Sequence, residues 1–237
     1  MKTTMLEQLN IKKAFTLAEV LITLGIIGVV ASLTIPTLIK NYQKEQTVTQ
    51  LKKVYSELSQ AIKMAEVENG NVSNWVFGTI SFSADEALNF TNTYLTPYLS
   101  ISKNCGKELN TCTKLRRAGL DGISNNIYEV PNQAGNSKFI LNNGALVWVD
   151  TYSTITNIFV DLNGDKKPNI FGKDTFAFRI TPSTRKLIFL GEGSSRNTLL
   201  NETGNGCNKT AANIAGGYCG ALIQLDGWQI KDDYPWD

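Results

Sequence analysis

Histidine is absent from the 237 residues. This excludes Ser-His-Asp and Cys-His nucleophile arrangements, histidine-ligated zinc and the usual general base near neutral pH. Carboxylate or lysine chemistry is left, yet no nucleophile–base pair can be read from the chain, so a non-enzymatic role is expected. An excess of one charge is lacking too. With 23 basic and 21 acidic residues the net charge is +2, too little to draw the chain to nucleic acid, and no nucleic-acid contact is expected. Charged residues make up 19% and apolar ones 42%, a balance that excludes wholesale disorder.

Cysteine is scarce. Cys105, Cys112, Cys207 and Cys219 form two close pairs far beyond the N-terminus. Neither pair has C-x-x-C spacing and no histidine completes a site, which disfavours zinc. Four cysteines allow three connectivities. The local one, Cys105–Cys112 with Cys207–Cys219, is favoured over free thiols. Disulfides imply export to an oxidising compartment.

What the sequence does have is a long apolar run, FTLAEVLITLGIIGVVASLTIPTLI, over residues 15–39. As a helix, this run would extend about 37 Å, enough to cross a hydrocarbon core of about 30 Å with some tilt. A cleaved secretory signal, a plain membrane anchor and a buried core helix all compete to explain it. Glu19 separates them. An ionised carboxylate inside such a run costs roughly 2.5–3.5 kcal/mol on insertion scales, and intramembrane acids mark function by default. Neither a signal nor a simple anchor has a use for it.

The stretch Lys12-Lys13-Ala14-Phe15-Thr16-Leu17-Ala18-Glu19-Val20-Leu21, followed by the apolar run, resembles the cleavage and methylation motif of type IV prepilins and type II secretion pseudopilins. The resemblance implies that a prepilin peptidase on the cytoplasmic face cuts between Ala14 and Phe15, and that the new amino group of Phe15 is methylated. It implies that Glu19 neutralises the amino terminus of a neighbouring subunit during assembly, and that Pro36 kinks the helix. The family has glycine before the cut, where this chain has Ala14, the smallest replacement. An uncleaved anchor, or a conventional signal-peptidase site at Val29-Val30-Ala31, is the alternative. Lysines flank the run on both sides (Lys2, Lys12 and Lys13 before it, Lys40, Lys44, Lys52 and Lys53 after it), so charge does not choose an orientation. The paired cysteines do, placing the C-terminal part outside the cytoplasm.

Beyond Pro36, Val48, Leu51, Val54, Tyr55, Leu58, Ala61, Ile62 and Ala65 recur at three and four residues, the stripe of an amphipathic helix packed onto a globular domain. Asn69-Gly70 marks its end. Residues 71–137 read as a polar connecting region with a short helix near Ser83–Tyr98. From Lys138 the pattern turns to β. Lys138–Leu141 and Ala145–Asp150 flank Asn142-Asn143-Gly144 as a hairpin, and 157–161, 175–180 and 186–190 follow as short strands. The expected fold class is α+β: a long N-terminal helix over 15–70, with transmembrane segment 15–39, packed on a small antiparallel sheet, pilin-like. The domain reading is a leader at 1–14, that helix, and a globular part at 71–237. Within this part the sheet covers 138–190 and a disulfide-stapled tail covers 191–237.

Asp161-Leu162-Asn163-Gly164-Asp165-Lys166-Lys167-Pro168-Asn169 places oxygen ligands at alternate positions, as calcium loops do. Asp161, Asn163, Asp165, Asn169 and Asp174 are candidate ligands for a structural Ca2+, although Lys166 and Gly172 depart from the EF-hand pattern. An Asx-rich turn is the ordinary alternative. The functional expectation is a structural, self-assembling filament subunit of a type IV pilus or type II secretion pseudopilus. Its partners would be other pilin-like subunits, the peptidase and an inner-membrane assembly platform. It would be single-pass in the bacterial inner membrane before assembly, with its globular domain periplasmic or extracellular. The alternative is a membrane-anchored surface adhesin, with Trp228 and Trp236 as its candidate contacts.

Overall fold

The computed structural model of the protein describes residues 16–79, 82–123 and 131–236. The chain divides into two compact units, one ending at Gln43 and one running from Lys44. Helix α1, Leu17–Asn69, contributes to both. In the first unit its apolar side chains from Leu17 to Ile39 are exposed, and the helix is long and apolar enough to cross a membrane.

In the second unit α1 buries the expected stripe, Leu51, Val54, Leu58, Ala61, Ile62 and Ala65. Fully burying a Leu, Val or Ile side chain contributes about 1.5–3 kcal/mol, which is what holds this half of the helix in place. The helix stops at Asn69, ahead of Gly70. A second helix, α2, spans Ala84–Tyr94, and the Ser83 hydroxyl caps it by accepting from the Glu86 amide. It ends before the sequence suggests, because Pro97 has no amide to donate and instead enters a short 3-10 turn at Thr96–Tyr98.

Six strands follow: β1 (Ile101–Gly106), β2 (Ser137–Leu141), β3 (Leu146–Tyr152), β4 (Ile155–Asp161), β5 (Thr175–Ile180) and β6 (Ile188–Phe189). They form one antiparallel sheet in sequence order. The predicted hairpin joins β2 to β3. Its turn closes with Gly144, in the left-handed region at φ +88°, donating to the Leu141 carbonyl at 2.9 Å. The fold is therefore α+β, with a long N-terminal helix and a six-stranded sheet. Strand β1 lies in the stretch read as connecting, and β6 keeps only two residues of the longer run expected there.

Alternation along the strands divides the core in two. Phe139, Val147, Val149, Ile158, Val160, Phe176 and Phe178 share one apolar cluster with the α1 stripe. On the opposite face Leu146, Trp148, Phe159 and Ala177 pack with Phe171, Leu190 and Ile214 from loops. Both faces of the sheet are thus covered. Two short helices, α3 (Arg196–Asn201) and α4 (Cys219–Leu225), complete the chain.

Candidate functional site

Three places bear on function: the head of α1, the loop after β4, and the C-terminal aromatics. At the head of α1, the Glu19 carboxylate folds back on Thr16. Its Oε2 accepts from the Thr16 amide and from the Thr16 hydroxyl, both at 2.8 Å, while the Glu19 amide donates to Thr16 Oγ1 at 3.2 Å. This reciprocal arrangement is a capping box, and the T-x-x-E spacing would have revealed Thr16. Among the described residues no donor reaches Glu19 Oε1. Ala14 and Phe15, the predicted cleavage pair, lie outside the described residues. Pro36 sits inside α1, which is continuous through it. Proline cannot donate to the carbonyl one turn back. Nearby, the Ser32 and Thr34 hydroxyls donate to the Val29 and Val30 carbonyls at 2.7 and 3.0 Å.

The loop after β4 brings all five candidate calcium ligands together, but around donors. Arg117, fully buried, donates from Nε to Asp161 Oδ2 at 2.6 Å. Its Nη2 reaches Asp165 Oδ1 at 3.3 Å and the Gly164 carbonyl at 3.1 Å, and Nη1 reaches the Leu115 carbonyl at 3.2 Å. The Thr113 hydroxyl also donates to Asp165. Asp174 accepts from the amides of Asn169 and Ile170, each at 2.7 Å.

The Asn163 side chain is a donor in either amide orientation, to Asp174 Oδ2 at 3.3 Å or to Asp161 Oδ1 at 3.2 Å. Asn169, with its amide nitrogen turned inward, donates to Asp161 Oδ2 at 3.2 Å. Carboxylate oxygens occupied by N–H and O–H groups are not free to converge on a hard cation, and a guanidinium beside Asp161 repels one. The five residues, as arranged, do not fit calcium; among the described residues no acidic cluster is disposed to hold a metal. Arg117, 44 positions before Asp161, is not foreseeable from the sequence as its partner.

Burial dominates the electrostatics of this loop. Burial pushes the Asp161 carboxyl up to about 7, with the Arg117 charge opposing and the Asp174 charge adding to the rise. Burial raises Asp174 as well, against the amides that donate to it. On the same face of the sheet, Asp150 accepts from Asn157 Nδ2 at 2.8 Å, and Arg179 Nε donates to Asn157 Oδ1 at 3.0 Å. Burial pushes Asp150 up to about 6, only partly offset by Asn157 and Arg179.

Each disulfide closes a short local loop. Cys105 pairs with Cys112 across a Cα separation of 5.8 Å, and Cys207 with Cys219 across 4.7 Å. Gly172 sits against the second bridge at φ +81°, where an added Cβ would meet Cys219 Sγ at 2.7 Å. The Tyr234 hydroxyl donates to the Gly172 carbonyl. Of the candidate contact aromatics, Trp228 is half-buried beside Tyr55 and Phe189, at centroid distances of 5.7 and 6.0 Å. Trp236 stands 6.3 Å from Tyr234.

Residues 37–237 match a family described as a family of unknown function, DUF6613. The chain belongs to that family. The match begins just past Pro36, so the head of α1 with Glu19 falls outside it. No curated protein and no solved structure matches the chain.

Proposed function

We propose that this DUF6613 chain is a structural subunit of a pilus-like filament, either a type IV pilus or a type II secretion pseudopilus. It is held in a membrane by α1 before assembly and packed through α1 afterwards. The observation that carries the reading is one acid at the head of a helix whose large apolar side chains from Leu17 to Ile39 are exposed. An exposed apolar stripe of this length needs lipid or other helices around it. Lipid alone gives no reason for Glu19.

In this scheme cleavage between Ala14 and Phe15 frees an α-amino group on the residue directly before Thr16, which with Glu19 closes the N-terminal turn. The Thr16 bonds occupy Oε2, and Oε1 remains to accept from the Phe15 amine of a neighbouring copy. Paired in this way, both charges are hidden, and the pair fixes the register of one helix against the next. The two disulfides support export to an oxidising compartment, with the second unit on the periplasmic or extracellular side.

Two variants test the scheme. Glu19→Ala leaves membrane insertion intact and strongly reduces incorporation into filaments. Glu19→Gln keeps an oxygen for the Thr16 cap but removes the charge, and it fails in assembly to the same degree. Normal incorporation of either variant removes the charge-pairing mechanism.

A further inference from the structure

Within the second unit, one flank of α1 faces the turn between β5 and β6 across a groove of about 670 Å³. That volume falls in the range of small-ligand sites, about 300–1,000 Å³. Four independent features converge there. The first is charge. Lys52, Lys63 and Arg185 line the groove, and among the described residues neither Lys63 nor Arg185 forms an ion pair. Lys186, also in the lining, is neutralised by Glu192 at 3.0 Å, and Glu66 is the acid in the wall.

The second feature is an aromatic floor. Tyr55 stacks on Phe189 at 5.1 Å and meets the Trp228 ring at 5.7 Å, with Lys52 Nζ 5.7 Å from the Trp228 centroid. The third is backbone conformation. Arg185 and Trp228 hold φ of +53° and +63°, a region that bulky side chains avoid and that clusters at ligand clamps. The fourth is an enclosed hydroxyl. Ser59 Oγ, also in the lining, has no hydrogen-bond partner, which is costly unless something supplies one.

We propose that this groove binds an acidic sugar. Arg185 and Lys63 take the carboxylate, the fork of Arg185 matching its two oxygens. The C–H face of the ring lies on Tyr55 and Trp228, and Ser59 bonds a ring hydroxyl. The wall formed by α1 comes from mid-helix side chains, not from a helix N-terminus or a run of backbone amides of the kind that cradles phosphate. A carboxylate therefore suits it better. The site does not depend on the head of α1, so it stands or falls apart from filament assembly.

The test is calorimetric titration of the full chain, in non-ionic detergent micelles, with tetragalacturonate. Maltotetraose and tetraglutamate serve as comparisons. Tetragalacturonate is expected to bind saturably and both comparisons far more weakly. Lys63→Gln combined with Arg185→Gln, both exposed and remote from the core, should weaken binding about tenfold or more, as loss of charge-assisted bonds implies. Absence of saturable binding overturns the proposal. So does equal binding of tetraglutamate, which would mean that charge alone is read, or undiminished affinity in the double variant.

Discussion

Replacing Arg117 with methionine removes a fully buried guanidinium while keeping much of the apolar volume over Trp148, whose ring lies 6.0 Å away. The loss leaves Asp161, itself fully buried, without its counter-charge. It also leaves the Leu115 and Gly164 carbonyls without their donors. Breaking a buried pair by removing one partner costs about 3–5 kcal/mol, a large part of the 5–15 kcal/mol of a typical domain. The cost depends on pH in a definite direction. Burial already holds the Asp161 carboxyl at about 7, and without Arg117 it moves higher, so the variant folds with Asp161 protonated.

The cost shrinks as pH falls, because a protonated Asp161 needs no counter-charge, down to what the orphaned Leu115 and Gly164 carbonyls contribute; it is greater at pH 8 than at pH 5. Adding Asp161→Asn should recover most of it, because an uncharged pair of matching shape needs no cation. Denaturant unfolding in micelles, followed by near-ultraviolet circular dichroism of the buried Trp148, measures the difference. A loss below about 1 kcal/mol at pH 8, or one equal at pH 5 and pH 8, would refute the reasoning.

Two further outcomes follow from the same face of the sheet. Asp150 has its folded-state carboxyl raised from 3.8 to about 6, so the folded protein holds a proton that the unfolded chain has released. Stability present below pH 4 is therefore lost as pH rises through 6, by about 3 kcal/mol. Asp150→Asn should flatten unfolding free energy over that interval, and an unchanged slope would contradict the assignment. Because Arg117 and backbone amides already occupy the carboxylates of the loop after β4, millimolar Ca2+ or a chelator should leave the melting temperature of the wild type unmoved. A midpoint rising with Ca2+ concentration would show a site that the geometry denies.

Local rules read the sequence well where the chain obeys them. The stripe from Leu51 to Ala65 has helical period and is buried as expected; Asn142-Asn143-Gly144 makes its hairpin; the two disulfides join the nearest cysteines. The T-x-x-E of Thr16 and Glu19 is legible as a cap as well as a charge within an apolar run. Strand β1 escaped because it is an edge strand with Ser102, Lys103 and Asn104 exposed. It carries no alternation of its own and is fixed by pairing with β2 and by the bridge at Cys105.

The second core was illegible for a different reason. Asp150, Asn157 and Asp161 look like the solvated face of half-buried strands, and they are buried because distant loops carrying Arg117, Phe171 and Ile214 fold over them. Pairings across tens of residues follow no local period. Asp161, Asn163, Asp165, Asn169 and Asp174 lie together at the end of β4 and in the loop after it, where the guanidinium of Arg117 stands against Asp161 and Asp165.

The central claim concerns the head of α1, and the mass spectrum of the mature N-terminus tests it most directly. Chains isolated from native membranes or filaments should begin at Phe15, with the amino group methylated. Chains that keep the residues before Ala14, or that begin beyond Glu19, would contradict it.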